Sequence, residues 1–152
     1  MSFNRTGLAM LLLLVTAVGC GGATSERTNV KGKVTIGGKP VVYGTIDFSP
    51  DSSKGHKGPA GTAEILDGAY DTAASGGGIF PGPHIVVVTG FDARPSSNTN
   101  ETVASTVKPL FTGYRVATDI SSGTYDLDVS GDAAGKDFSQ PSGGQTRRGN
   151  DP

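Results

Sequence analysis

The sequence predicts an all-β fold, a seven-stranded antiparallel β-sandwich, on three observations. Glycine and proline are abundant, at 24 and 9 residues, while Trp is absent and aromatics are 7% of the chain, which argues against a helical bundle. From residue 29 to residue 130 the apolar residues fall in short runs that alternate with polar ones, the period of a half-buried strand. Turn signals separate these runs every ~8 to 12 residues, the spacing of sandwich folds. A length of 152 residues supports one such domain. A net charge of -1 and a pI of about 6.1 supply no basic field for a phosphate backbone, so no nucleic-acid partner is expected.

The elements follow in order. Val30, Val34 and Ile36 alternate with Lys31, Lys33 and Thr35 in a first strand. Gly37-Gly38-Lys39-Pro40 turns the chain. Val42, Gly44, Ile46 and Phe48 then alternate with Tyr43, Thr45 and Asp47, and the two runs read as a hairpin. A polar loop covers 50–59. Ala63 and Ile65 lie in a third strand, Asp67-Gly68 is a hairpin turn, and Tyr70 lies in a short fourth strand. Ser75-Gly76-Gly77-Gly78 and Pro81-Gly82-Pro83 lead to His84-Ile85-Val86-Val87-Val88-Thr89. That run is the most apolar of the body and reads as a central strand buried on both faces or nearly so. A long polar loop covers 92–109. Tyr114, Val116 and Ile120 mark a sixth strand, and Ser121-Ser122-Gly123 a turn. Tyr125, Leu127 and Val129 alternate with Thr124, Asp126 and Asp128 in a seventh. Residues 131–152 are rich in Gly, Ser, Asp, Gln and Pro, with Phe138 the one large apolar side chain, and read as a disordered tail.

Ahead of the body, Arg5 precedes an uncharged apolar run from Leu8 to Val18. Its eleven residues span about 16 Å as a helix, roughly half a bilayer core. That length suits a signal-peptide core and not a transmembrane span. Next stands Ala17-Val18-Gly19-Cys20, which resembles the lipobox of bacterial lipoproteins. The resemblance implies a diacylglyceryl group on the Cys20 sulfur and cleavage between Gly19 and Cys20. The reaction uses a thiol nucleophile, and the small residues Ala17 and Gly19 suit entry to the peptidase. Leu is commoner in the family at the position of Ala17. The competing reading is an ordinary secretory signal, which Ala-x-Gly also suits. Cys20 is the only cysteine, and in an oxidising compartment a free thiol is a liability where a thioether is not. Gly21-Gly22-Ala23-Thr24-Ser25 reads as a flexible tether. The expected organisation is a signal peptide over 1–19, lipidated Cys20 and tether over 20–28, the β-body over 29–130 and the tail over 131–152. Two or more acyl chains hold a protein stably on a membrane. The expected location is therefore the periplasmic or outer-membrane face, with the membrane as partner through lipid on Cys20. Gly21, where Asp favours inner-membrane retention, points to the outer membrane.

The body carries a second resemblance. Val30-Lys31-Gly32-Lys33-Val34-Thr35, Gly38-Lys39-Pro40-Val41 and Gly44-Thr45-Ile46-Asp47-Phe48-Ser49-Pro50 resemble the opening of a carboxypeptidase regulatory-like (transthyretin-like) domain. Asp67-Gly68-Ala69-Tyr70, Gly82-Pro83-His84-Ile85-Val86-Val87-Val88 and Pro109-Leu110-Phe111-Thr112-Gly113-Tyr114 are similar to its continuation. The pattern is common in short lipoproteins of Planctomycetes-type bacteria. It implies a transthyretin-like or Ig-like sandwich with an accessory or structural role, and it brings no catalytic residues.

Side chains with chemistry are few. His56 lies in a loop beside Lys54 and Lys57, which repel a cation, and reads as solvated; His84 reads as packed at a sheet edge. There is no Gly-x-Ser-x-Gly elbow. Asp126 and Asp128 share one strand face about 7 Å apart, which reads as a solvated face or, less well, a weak calcium site. Gly76-Gly77-Gly78 lacks the Lys-Ser/Thr of a phosphate loop, and Asn100-Glu101-Thr102 is a sequon by chance in a bacterial protein. No cofactor and no metal are expected. The expected function is a lipid-anchored envelope protein with a non-catalytic β-sandwich, structural or binding a protein or glycan partner through the loops 50–59 and 92–109. The alternative is a carbohydrate-binding module, for which Tyr43, Phe91 and Phe111 are the available aromatics; the second is a hydrolase of unknown class.

Overall fold

A computed structural model describes residues 26–75, 77–95 and 107–140. Gly19, Cys20 and the tether over 21–25 lie outside the described residues, as do the sequon and Gly76.

The described chain is a curled, largely antiparallel sheet. Its strands are β1 (Lys31–Ile36), β2 (Lys39–Pro40), β3 (Tyr43–Pro50), β4 (Gly61–Leu66), β5 (Ala69–Asp71), β6 (Gly82–Phe91), β7 (Pro109–Ile120) and β8 (Leu127–Val129). Seven run in the order β2-β1-β5-β4-β3-β6-β7, and β8 joins β1 in parallel. Single 3-10 turns lie at Ser52–Lys54, Thr72–Ser75 and Gly131–Ala133.

The predicted strands are present, but one predicted partnership differs. The first strand does not pair with the run that follows it. Gly37 and Gly38, at φ 55° and 76°, make a tight turn that returns only Lys39–Pro40 to β1. The chain then leaves β1, and β3 pairs with β4 and β6. The Asp67-Gly68 turn fills the junction: Val34 N donates to Gly68 O, and Gly68 N donates to Val41 O, both at 2.8 Å. The last strand, β8, crosses to β1 and runs parallel to it, where Val34, Thr35 and Ile36 face Leu127, Asp128 and Val129.

One face of the sheet is the core. Val34, Ile46, Phe48, Ile65, Tyr70, Val86, Val88, Phe111, Ile120, Leu127 and Val129 pack there from seven strands, so the sheet must curl round its own inner face. Phe48 is central, with its ring centroid 5.8 Å from that of Tyr70 and 6.4 Å from that of Tyr125. The Tyr70 hydroxyl donates to Tyr125 O at 2.6 Å, and burial pushes its phenol well above the usual range.

Three expectations about burial are corrected. In the β6 run only alternate residues are buried: His84, Val86 and Val88 face inward, while Ile85, Val87 and Thr89 are half-buried. The strand is central in its hydrogen bonding yet covered on one side. Val41 and not Val42 enters the core, because the chain shifts sides as it passes from β2 to β3. Phe111 lies in β7 and is fully buried, so it is no exposed aromatic. A β-bulge explains it. Between two register points β6 advances two residues, from Val88 to Gly90, while the antiparallel β7 runs back three, from Tyr114 to Phe111. The extra residue falls at Gly113, φ 66°, and reverses which positions face inward.

The body also extends past residue 130. Gly135 N donates to Leu110 O, Thr112 N to Lys136 O and Phe138 N to Thr112 O, while Ala133 is buried. The Phe138 ring meets Tyr114 edge-on at 5.5 Å. Residues 131–140, read as the start of a disordered tail, thus lie along β7, and 141–152 lie outside the described residues.

Candidate functional site

Strand register builds an apolar row on the outer face. Tyr43 of β3 is the register partner of Leu66 in β4 and of Phe91 in β6. Since side chains alternate, all three project to the same side, away from the core. The Tyr43 and Phe91 ring centroids are 6.1 Å apart at a 39° tilt. The next row is polar: Thr45 pairs with Glu64 and Thr89. The Glu64 carboxylate, in hydrogen-bonding reach of the Tyr43 hydroxyl, holds that phenol above its usual range, and slight burial adds to the effect. Arg94 stands at the end of the apolar row, 4.0 Å from Asp67, with both side chains well exposed.

Two hollows flank Leu66. One of about 260 Å³ lies among Tyr43, Glu64, Leu66, Arg94 and Pro95. A second of about 380 Å³ runs over Glu64, Leu66, Ala69, Tyr70, Asp71, Ala74 and Ser75. Together they form a shallow groove with an aromatic wall, a carboxylate and a guanidinium. Its chemistry is that of binding: flat apolar surface for a partner's carbon face, and charged groups for hydroxyls or amides.

Tyr43 and Phe91, read from the sequence as available aromatics, lie on the outer face, where both are half-buried. Glu64, Leu66 and Arg94 were not legible, because no local signal marks which residues of distant strands share a row. Among the described residues, the 50–59 loop does not line the groove, and Arg94 and Pro95 reach it from the start of the 92–109 segment, of which 96–106 lie outside the described residues.

The structure also brings the two histidines together, against both expectations. Asp51 caps the turn after β3, its carboxylate accepting from the Ser53 hydroxyl and from Ser53 N at 3.0 Å, and these bonds, the hydroxyl's first, hold its carboxyl below the usual range. Gly55, at φ 75°, then reverses the chain so that His56 N donates to Asp51 O. The His56 ring lands on Gly82, where a Cβ would lie 2.8 Å from its Cε1. His84 is two residues on in β6, between β3 and β7 and not at an edge, with 0% exposure. The two ring centroids are 4.9 Å apart at 69°. His84 Nδ1 lies 2.8 Å from Gly82 O, while its buried Nε2 has no partner. An unsatisfied buried polar group costs about 1–3 kcal/mol.

The paired aspartates serve β1. Asp126 accepts from Lys33 N at 2.7 Å, and Asp128 accepts from the Thr35 hydroxyl and from Gly38 N. Among the described residues, no three His, Cys, Asp or Glu gather to hold a metal ion. Among them too, no helix is long and apolar enough to cross a membrane. The chain matches no family model, no curated protein and no solved structure.

Proposed function

We propose that the chain is a lipid-anchored envelope protein whose β-domain binds a protein or glycan partner without catalysing a reaction. The observation that carries the binding role is the row Leu66–Tyr43–Phe91 with Glu64 and Arg94 beside it. Aromatic side chains at the centre of a patch, with charge at its rim, are the usual seat of binding energy. The anchor rests on the Leu8 to Val18 run and on Gly19-Cys20, with cleavage before Cys20 and lipid on its sulfur, which sets the domain on the periplasmic or outer-membrane face. The crossing of β8 to β1 and the curl of the sheet support a transthyretin-like sandwich of the carboxypeptidase regulatory-like type.

Crosslinking in intact cells tests the binding role. A partner crosslinked to the native chain should be lost from Tyr43→Ala and Phe91→Ala, each by about tenfold or more. Undiminished crosslinking in both variants would sink this reading. The adjacent Tyr43 and Phe91 rings favour a glycan as the second reading, since sugars lay their CH faces on aromatic surfaces. A glycan array without hits removes that version and leaves the protein partner.

A further inference from the structure

The histidine pair carries an inference beyond the binding groove. A carbonyl oxygen only accepts, so the contact to Gly82 O places the His84 proton on Nδ1 and leaves a lone pair on Nε2. That nitrogen is buried and has nothing to accept from. Metal-binding histidines show the same arrangement: one N–H tied to a carbonyl, which fixes the tautomer and aims the other nitrogen. His56 repeats it with the nitrogens exchanged. Its Nε2 faces Phe80 O at 3.3 Å, which leaves the lone pair on Nδ1. Gly82 makes the approach feasible, since any Cβ there would meet the His56 ring.

The spacing agrees with a shared ion. Two imidazoles bound to one ion at ~2.0–2.1 Å, at a near-tetrahedral angle, hold their ring centroids about 5 Å apart. Here they are 4.9 Å apart and steeply inclined. Of the two lysines that flank His56, Lys54 has its charge offset by Asp51 at 4.0 Å, and Lys57 is exposed, where water screens its charge. His56 is half-buried, so solvent reaches one side of the pair.

We propose that His56 and His84 form a two-histidine site for a divalent transition-metal ion, with water completing its coordination. Imidazole nitrogen selects Cu(II), Ni(II) and Zn(II) over the hard cations that take oxygen, and the order of affinity places Cu(II) first.

The test titrates the full chain with Cu(II), Ni(II) and Zn(II) chlorides. Cys20→Ser is introduced throughout to remove the thiol as a competing ligand. The expected result is one Cu(II) per chain, an electron paramagnetic resonance spectrum with coupling to two imidazole nitrogens, and a melting temperature that rises with added metal. Ni(II) and Zn(II) should bind more weakly. His56→Ala should lower Cu(II) affinity at least tenfold while the metal-free variant keeps the circular dichroism of the parent. Cu(II) held as tightly by folded His56→Ala as by the parent would overturn the site. So would a parent chain that binds no Cu(II), or a spectrum with one imidazole nitrogen.

Discussion

At the scale of the residue, three carboxyls show how the fold responds to acid. Asp51, Asp128 and Asp137 are held below the usual value of 3.8, in each case first by a hydroxyl, from Ser53, Thr35 and Ser139. A group with a depressed folded pKa adds stability that is present above its unfolded value and is lost as pH falls through the folded one. The melting temperature should therefore hold between neutral pH and about 5 and decline below about 4. Thr35→Val removes the largest influence on Asp128 and should make that decline shallower in melts followed against pH. Phe48 tests the core. It is fully buried between Tyr70 and Tyr125, and Phe48→Ala should cost about 3–5 kcal/mol in a denaturant titration. The burial of Phe48 was legible from its alternation with Asp47. That of Phe111 was not, because the alternation that places Tyr114 and Val116 breaks at Gly113, and a bulge depends on the partner strand.

At the scale of the element, the segment after β8 behaves as part of β7. Residues 133–138 exchange backbone hydrogen bonds with Leu110 and Thr112, bury Ala133 and place Phe138 on Tyr114. A chain ending at Ser130 should melt well below the full chain. The loss of about 2 kcal/mol from these contacts corresponds to a fall of roughly 8–16 °C for a body of this size. A chain ending at Gln140 should melt with the full chain, since the composition of 141–152 offers nothing apolar to bury. Glycine turns set the elements that precede it. Gly68 has φ 80°, and a Cβ there would lie 2.7 Å from Pro40 Cβ, so this turn can approach β2 only without a side chain. Asp67-Gly68 was read correctly as a hairpin because such a turn is a local signal.

At the scale of the whole molecule, the proposed anchor is close in sequence to the described body. Five residues separate Cys20 from Glu26, and a fully extended chain covers at most ~3.6 Å per residue, so a lipid on Cys20 keeps the body within about 22 Å of the membrane surface. Cys20→Ala should move the protein from the membrane fraction to the soluble one and abolish labelling by a palmitate analogue. Labelling that persists would remove the anchor while leaving the groove untouched. The groove in turn belongs to no single element: Leu66, Tyr43 and Phe91 come from three strands and meet only because β4, β3 and β6 pair in one register.

The sequence by itself determined where strands lie, which turns are tight, and most of which residues face inward. These are local properties, set by alternation and by the φ angles that glycine permits. It also held the whole case for the lipid proposed on Cys20, since a motif of that kind is linear. The tertiary structure decided which strands are partners: β3 with β4 and β6, and β8 with β1. It decided that Phe111 turns inward, that 131–140 continue the body, and that His56 meets His84. Each of these joins residues far apart in the chain, and such pairings are chosen by packing the whole inner face at once, which no local pattern records.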